Sequence, residues 1–414
     1  MLRPPSLTTG LLLSIVLTLF GLTSCVWSQS RQSLLPVVPT LTSSPESAEL
    51  LRESWSAYRT RFIQDDGRVI DWEADEKSTS EGQAYALWRS VLIDDAATFE
   101  KSLRWAEANL MRRDAQGKTI DSLWAWKWGK SPGGQWLQLD PNFASDADID
   151  ACFALILASK KWNRSDYLVL AKTKLRDLWE RSTVQVGAKR YLIPGPTIAF
   201  RKGDILTLNP SYLAPYAFRL FAQVDRDRDW MSLVDSSYEI LEESVSISQV
   251  GLPSDWVDFD VKSGKYKPLE SGGPLSSDYG FDASRVWWRV ALDAAIFNDP
   301  RSLTYLRTHL KDLEMRWQKD KRIPAQIGLG GQSKVNYEAT SNYGMLYFAF
   351  NQLGSATSQE IYEKKLMATY RNGIWDNDRA YYTQNLAWFA LFPPAEISRS
   401  MREFFPASSG DPPK

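Results

Sequence analysis

Histidine is all but missing from this chain: His309 is the only one in 414 residues. It lies in a run that reads as an outer helix surface, which excludes Ser-His-Asp, Cys-His and multi-histidine metal chemistry. Cysteine is nearly as scarce, with two. Cys152 sits in an apolar helical run and reads as a small buried hydrophobe, so no structural disulfide is expected. Net charge is lacking too. The 49 Lys and Arg residues face 50 Asp and Glu, so no field draws the chain to nucleic acid or anionic lipid. Chemistry is left to carboxylates, tyrosines and arginines, with no metal and no cofactor implied.

Long apolar runs are absent except at the start. Arg3 followed by "GLLLSIVLTLFGLTS" (10–24) and then Cys25 has the charged and apolar regions of an export signal. The span is short for a membrane helix. Residues 26–46, "VWSQSRQSLLPVVPTLTSSPE", are rich in Ser, Thr and Pro without a sustained period and read as a linker. The tail 406–414, "PASSGDPPK", reads likewise.

Aromatic residues are abundant, with 18 Trp, 17 Tyr and 17 Phe. Most must be core, but flat rings on a surface are also what sugar faces stack against. Between linker and tail, helical periodicity recurs while alternating strand patterns are scarce. Twelve helices are expected near 47–64, 80–93, 95–111, 145–161, 164–183, 210–223, 226–247, 280–298, 299–318, 337–353, 357–371 and 379–392. They alternate in character. "SDYLVLAKTKLRDLWERS" (165–182) carries one apolar stripe among charges, whereas "ACFALILASKKW" (151–162) is apolar nearly all round. Outer and inner helices paired about six times suggest an all-α (α/α)6 toroid over 47–405. A stacked solenoid of helical hairpins is the alternative.

Each inner helix opens on polar and aromatic residues: "TSEGQAY" (79–85), "SDADID" (145–150), "NPSYLAP" (209–215), "DYGFDASR" (278–285), "YEATSNYG" (337–344) and "YYTQNLAW" (381–388). In a toroid these starts meet at one end of the barrel. Ser80 and Gln83 fit a capping box, which leaves Glu81 unexplained except as a partner of the helix dipole. Glu81, Asp146 and Asp282 are the carboxylates this geometry gathers, and a pair of carboxyls across a scissile bond is what glycoside hydrolysis needs. Asp148 and Asp150 read as caps. Asp146 would act through its negative charge near Glu81, raising that acid's proton affinity, and Arg285 would keep Asp282 ionised.

"SEGQAYAL", "AWKWG", "SDADID", "NPSYLAP", "PSDWV" and "GFDASRVWWR" stand in the order and approximate spacing of glycoside hydrolase family 8, which the chain resembles from about residue 50 to about 395. The resemblance implies an (α/α)6 barrel that hydrolyses β-1,4 glycans with inversion. It makes Glu81 the general acid, Asp282 the general base and Asp146 the residue that holds the sugar at the cleavage point. Arg285 and Tyr279 carry over as neighbours of the base. Trp126 matches a ring that stacks on glucose, with Trp128 a second, and Tyr381 and Tyr382 align loosely with tyrosines of the cleft. Tyr212 lies in the matched "NPSY". The segment 198–208, "IAFRKGDILTL", lacks the tryptophan some members place there. "LTSC" resembles a lipobox, which would make Cys25 a lipid attachment site and the chain an exported lipoprotein; an ordinary secretory signal is the alternative.

The combined reading is a monomeric endo-β-1,4-glucanase of the cell envelope, similar to those that accompany bacterial cellulose synthesis. Two rivals remain: a xylanase or other β-glycan hydrolase of the same fold, and a weakly catalytic glycan-binding component.

Overall fold

The computed structural model describes residues 45–405. The expected signal segment 1–25, its Cys25, most of the linker and the tail 406–414 lie outside the described residues. Fifteen α-helices follow one another: α1 (Pro45–Phe62), α2 (Ser80–Ile93), α3 (Ala96–Asn109), α4 (Ser145–Lys161), α5 (Ser165–Ser182), α6 (Thr197–Phe200), α7 (Pro215–Val224), α8 (Trp230–Ser244), α9 (Phe281–Phe297), α10 (Pro300–His309), α11 (Lys311–Asp320), α12 (Thr340–Gln352), α13 (Thr357–Ile361), α14 (Tyr381–Leu391) and α15 (Pro394–Arg402).

Helix contacts close a ring. α2 packs on α4, α4 on α7, α7 on α9, α9 on α12, α12 on α14, and α14 returns to α2. Outside it, α3, α5, α8, α10 and α13 each pack on the inner helix before them, and α1 packs on α14. Six inner–outer pairs form a closed toroid, not a solenoid. Burial follows the two sequence classes. In α4 every residue from Ser145 to Ser159 is buried, whereas α5 buries Tyr167, Ala171, Lys174, Leu175, Asp177, Leu178 and Ser182 along one stripe.

Several helix boundaries shift for physical reasons. Over 210–223, Pro210 and Pro215 lack the N–H groups a continuous helix requires, so a 3-10 turn (Pro210–Tyr212) precedes α7. The helix expected from 226 starts at Trp230, because Asp229 caps it through the N–H of Ser232. The segment 299–318 breaks at Leu310 into α10 and α11. After α13 the coil widens to a π-helical turn (Tyr362–Met367), and residues 370–371 are strand.

A hairpin that strand patterning did not reveal matters more. β3 (Thr119–Lys130) pairs antiparallel with β4 (Trp136–Phe143), with β2 (Met111–Arg113) and with β1 (Ser78–Thr79), which runs directly into α2. Bulges between Ala125, Lys127 and Trp128 and continuous burial from Asp121 to Ala125 erase the two-residue alternation. Buried charge fastens this strand to the barrel. Lys174 of α5 donates to the Ser122 carbonyl at 2.5 Å, and Asp177 accepts from the Ser122 N–H at 2.7 Å.

Candidate active site

The first turn of α2 presents Glu81, but not through the expected capping box. Thr79 is the cap, its hydroxyl accepting the Gly82 N–H at 3.0 Å. Ser80 is a buried helical residue. Gln83 turns away: Oε1 accepts from the Val69 N–H at 2.5 Å, and Nε2 donates to the carbonyls of Gly67 and Ser102. A buried amide with three backbone partners fixes the chain that leads into the helix. Glycine at 82 keeps the approach close, since a Cβ there would meet the Tyr381 ring at 3.2 Å and the Thr79 hydroxyl at 3.3 Å and push them back. That approach lets the Tyr381 hydroxyl donate to Oε1 of Glu81 at 2.9 Å.

Arg285, one turn into α9, organises the rest. Its side chain is 1% exposed. Nη1 donates to Oε2 of Glu81 at 2.6 Å and to Oδ2 of Asp146 at 2.8 Å, and Nη2 donates to Oδ1 of Asp282 at 2.7 Å. Ser211 and Tyr85 hydroxyls lie at 3.0 and 3.3 Å. Three carboxylates on one guanidinium are a dense use of its planar donor fork. Asn209 donates to the other oxygen of Asp282 at 3.1 Å. Of the three acids Asp282 is the most open, its side chain 30% exposed against 19% for Glu81 and 3% for Asp146.

Burial pushes Glu81 up to about 7, aided by the charges of Asp146 and Asp282, while Arg285 and the Tyr381 bond pull it back. Burial also raises Asp282, against Arg285 and Asn209. Glu81 therefore keeps a protonated fraction near neutrality beside an acid that its bonds favour as the anion.

These groups line a cavity of about 240 Å³ with Asp71, Lys77, Thr79, Ser80, Trp126, Ala144, Tyr212 and Tyr381. The starts of α2, α4, α9 and α14 and the turn before α7 all reach it, as the toroid requires. The start of α12 does not: Tyr343 donates to Glu338, and Thr340 donates to Asp376 at 2.9 Å.

The other expected residues divide. The guanidinium carbon of Arg285 lies 5.5 Å from the Tyr212 ring. Tyr382 donates to the Phe281 carbonyl at 2.9 Å and so braces the first turn of α9. Tyr279 is not brought into the cluster. Its ring is buried, its hydroxyl accepts from the Trp287 indole at 3.2 Å, and its backbone pairs with Ile327, so it packs behind the helix start. Asp148 and Asp150 are not caps. Asp148 accepts the Trp124 N–H at 3.2 Å and binds β3 to α4, while Asp150 holds Arg289 through two bonds at 3.0 and 2.9 Å. Burial pushes Asp148 up to about 7.

Two groups escaped the sequence reading. Asp255, inside "PSDWV", accepts the Ala283 N–H at 2.7 Å and so caps α9 from a distant loop. Burial and the Asp282 charge raise it well above the usual carboxylate range. Trp256 beside it stacks on Phe200, with centroids 5.7 Å apart and planes 5° apart, and meets Tyr212 edge-on at 6.0 Å. The tryptophan-free segment 198–208 thus still contributes an aromatic ring, which reaches Tyr212 of the cavity only through Trp256. Among the described residues no group of His, Cys, Asp and Glu is placed to hold a metal ion.

The model of the family described as glycosyl hydrolases family 8 matches residues 32–392. An endoglucanase of Pseudomonas fluorescens (strain SBW25) is 32% identical over 257 residues, covering 61% of this chain and 63% of that protein, so the match spans less than two thirds of that relative. An endoglucanase of Escherichia coli (strain K12) is 31% identical over 314 residues, 74% of this chain and 80% of that protein. Among solved structures, the endo-1,4-D-glucanase from Vibrio fischeri ES114 superposes with a TM-score of 0.69 at 27% identity, covering 82% of this chain and 93% of that one. With the closed ring of six helical hairpins, these matches establish that the chain belongs to glycosyl hydrolase family 8, with its (α/α)6 barrel.

Proposed function

We propose that the protein is an endo-β-1,4-glucanase that cleaves with inversion, Glu81 protonating the glycosidic oxygen and Asp282 taking a proton from the attacking water. The observation that carries this reading is the Arg285 guanidinium, which binds Glu81, Asp146 and Asp282 together at one end of the barrel. Glu81 and Asp282 sit on different nitrogens of one planar group, so the two carboxyls are held apart on a single fork. An inverting pair needs about 6.5–9.5 Å between carboxyls to admit a water, and substrate that displaces one acid from Arg285 sets the final spacing. Asp282, the most exposed of the three, suits the group that meets water. Asp146, held at 2.8 Å by Arg285, supplies charge beside Glu81 and a fixed acceptor for a sugar hydroxyl. The endoglucanase relatives support β-1,4-glucan as substrate, and the complete set of acids speaks against a merely binding role.

Glu81→Gln and Asp282→Asn are expected to cut turnover of carboxymethylcellulose by about 10³-fold or more with unchanged thermal midpoints. Proton NMR of the first products should show the α-anomer. Near-normal activity in Glu81→Gln overturns the assignment, and initial β-anomer overturns inversion. Initial rates on cellulose, xylan and mixed-linkage glucan separate this substrate from its relatives. From the sequence alone we also propose export, with Cys25 as the lipid-bearing residue and a monomeric enzyme in the envelope.

A further inference from the structure

The β3–β4 hairpin carries an exposed ring that no motif marks. Trp136 is 43% exposed and stands opposite Lys130 near the hairpin tip. Its ring lies nearly parallel to that of Trp128, with centroids 5.0 Å apart and planes 17° apart, and Trp128 meets Trp105 of α3 edge-on at 5.2 Å. The Arg68 guanidinium carbon lies 4.4 Å from the Trp136 ring and 4.7 Å from that of Trp128. Buried Arg68 is itself tied down, its Nε donating to the Ser78 hydroxyl at 2.8 Å. Trp128, expected to stack on sugar, instead forms the layer beneath Trp136. The exposed indole has thus already lost its freedom, and a fixed flat surface binds with less ordering cost than a mobile one.

The platform is continuous with the cavity. Ser78 is the strand partner of Trp128, and three residues later the same chain presents Glu81. Trp126 lines the cavity from the strand that carries Trp128. Lys77, also in the lining, packs on Gly129, where a Cβ would come within 3.3 Å of the lysine Cβ. At about 3.3 Å per residue, Lys130 and its partner Trp136 stand about 13 Å along the strand from Trp126. A 240 Å³ cavity encloses only a short piece of a polymer, so a longer chain must leave over its rim. On the Glu81 side that rim is this hairpin.

We propose that Trp136 is an outer binding platform for the distal sugar rings of a long β-linked glucan, stacking on their apolar C–H faces. The proposal rests on the glucanase reading above and adds a preference for long chains. Short oligosaccharides that fill only the cavity do not reach Trp136. The test compares full-length wild type, Trp136→Ala and Trp136→Phe on cellohexaose and on the shortest cello-oligosaccharide the wild type cleaves. For Trp136→Ala, KM for cellohexaose should rise about tenfold with kcat unchanged, KM for the short substrate should stay within about twofold, and Trp136→Phe should recover most of the loss. Titration of cellohexaose into Glu81→Gln with and without Trp136→Ala should show the same loss of affinity by calorimetry. Equal changes on long and short substrates, or no change on the long one, overturn the platform while leaving the catalytic reading intact. A wild type that cleaves no cello-oligosaccharide up to cellohexaose overturns that reading itself.

Discussion

The hydroxyl of Tyr381 lies 2.9 Å from Oε1 of Glu81 and 3.1 Å from the Thr79 hydroxyl. The cap of α2 and the carboxyl that α2 presents therefore share one phenol. A bond donated to a carboxylate favours its ionised form. Since Glu81 stands at about 7, wild-type activity should fall as pH rises through that region. Tyr381→Phe removes a pull on the proton, so Glu81 holds it to higher pH. The alkaline limb of kcat/KM should move upward by as much as about one unit, which a pH–rate profile on carboxymethylcellulose will read.

Asp146 should act in the opposite sense. Its charge raises Glu81, so Asp146→Asn should move the same limb downward and reduce the protonated fraction at neutrality. A profile that moves upward, or stays fixed, would contradict the electrostatic part of its role.

Arg285 sets one positive charge among three acids from a site that solvent barely reaches. Arg285→Ala leaves the cluster without its cation and should cost about 3–5 kcal/mol of stability as well as activity. Arg285→Lys keeps the charge but loses the fork, so it should restore stability more than turnover. Urea denaturation alongside initial rates measures both.

Asp148 makes stability depend on pH. Burial holds its folded-state proton affinity at about 7, above the ordinary carboxylate value, so its contribution is complete in acid and is lost as pH rises through 7. Asp148→Asn keeps an acceptor for the Trp124 N–H. It should lessen the fall in stability between pH 5 and 8 by about 1–3 kcal/mol, read from urea midpoints.

Asp255→Ala should cost about 0.5–2 kcal/mol through the lost cap on α9. The base on that first turn loses its fixed position, so kcat should fall more than KM rises. Asp255→Asn, whose amide oxygen can accept the same N–H, should recover most of the rate.

The ring of helices was legible because burial leaves its mark on composition: α4 is apolar on every side and α5 on one. The gathering of Glu81, Asp146 and Asp282 followed from their shared place at inner-helix starts. Local pattern failed where the deciding partner came from elsewhere in the chain. Ser80 has a hydroxyl at a cap-like spacing, yet Thr79 one residue earlier takes the bond, and Gln83 is claimed by Val69, Gly67 and Ser102. Asp148 and Asp150 look like first-turn acids until β3 and Arg289 arrive against them. Asp255 stands in a loop whose return to α9, 28 residues on, no local periodicity records. Trp136 follows a glycine-rich turn, and the groups that fix it come from distant segments: Arg68 beside its ring, and Trp105 against the Trp128 ring beneath it.

One further consequence concerns how the barrel finds its alignment. Arg285 and Arg289 are four residues apart on α9, as are Asp146 and Asp150 on α4, and they pair as two rungs across the barrel. If α9 slid by one turn against α4, either Arg289 or Asp150 would be stranded unpaired in the interior, at a cost of several kcal/mol. A hydrophobic seam alone tolerates such sliding far better, because leucine and alanine make much the same contacts one turn along. The two rungs thus work as a two-toothed key during assembly. They admit one alignment of the helices, and it is the one that brings the acids to the same depth.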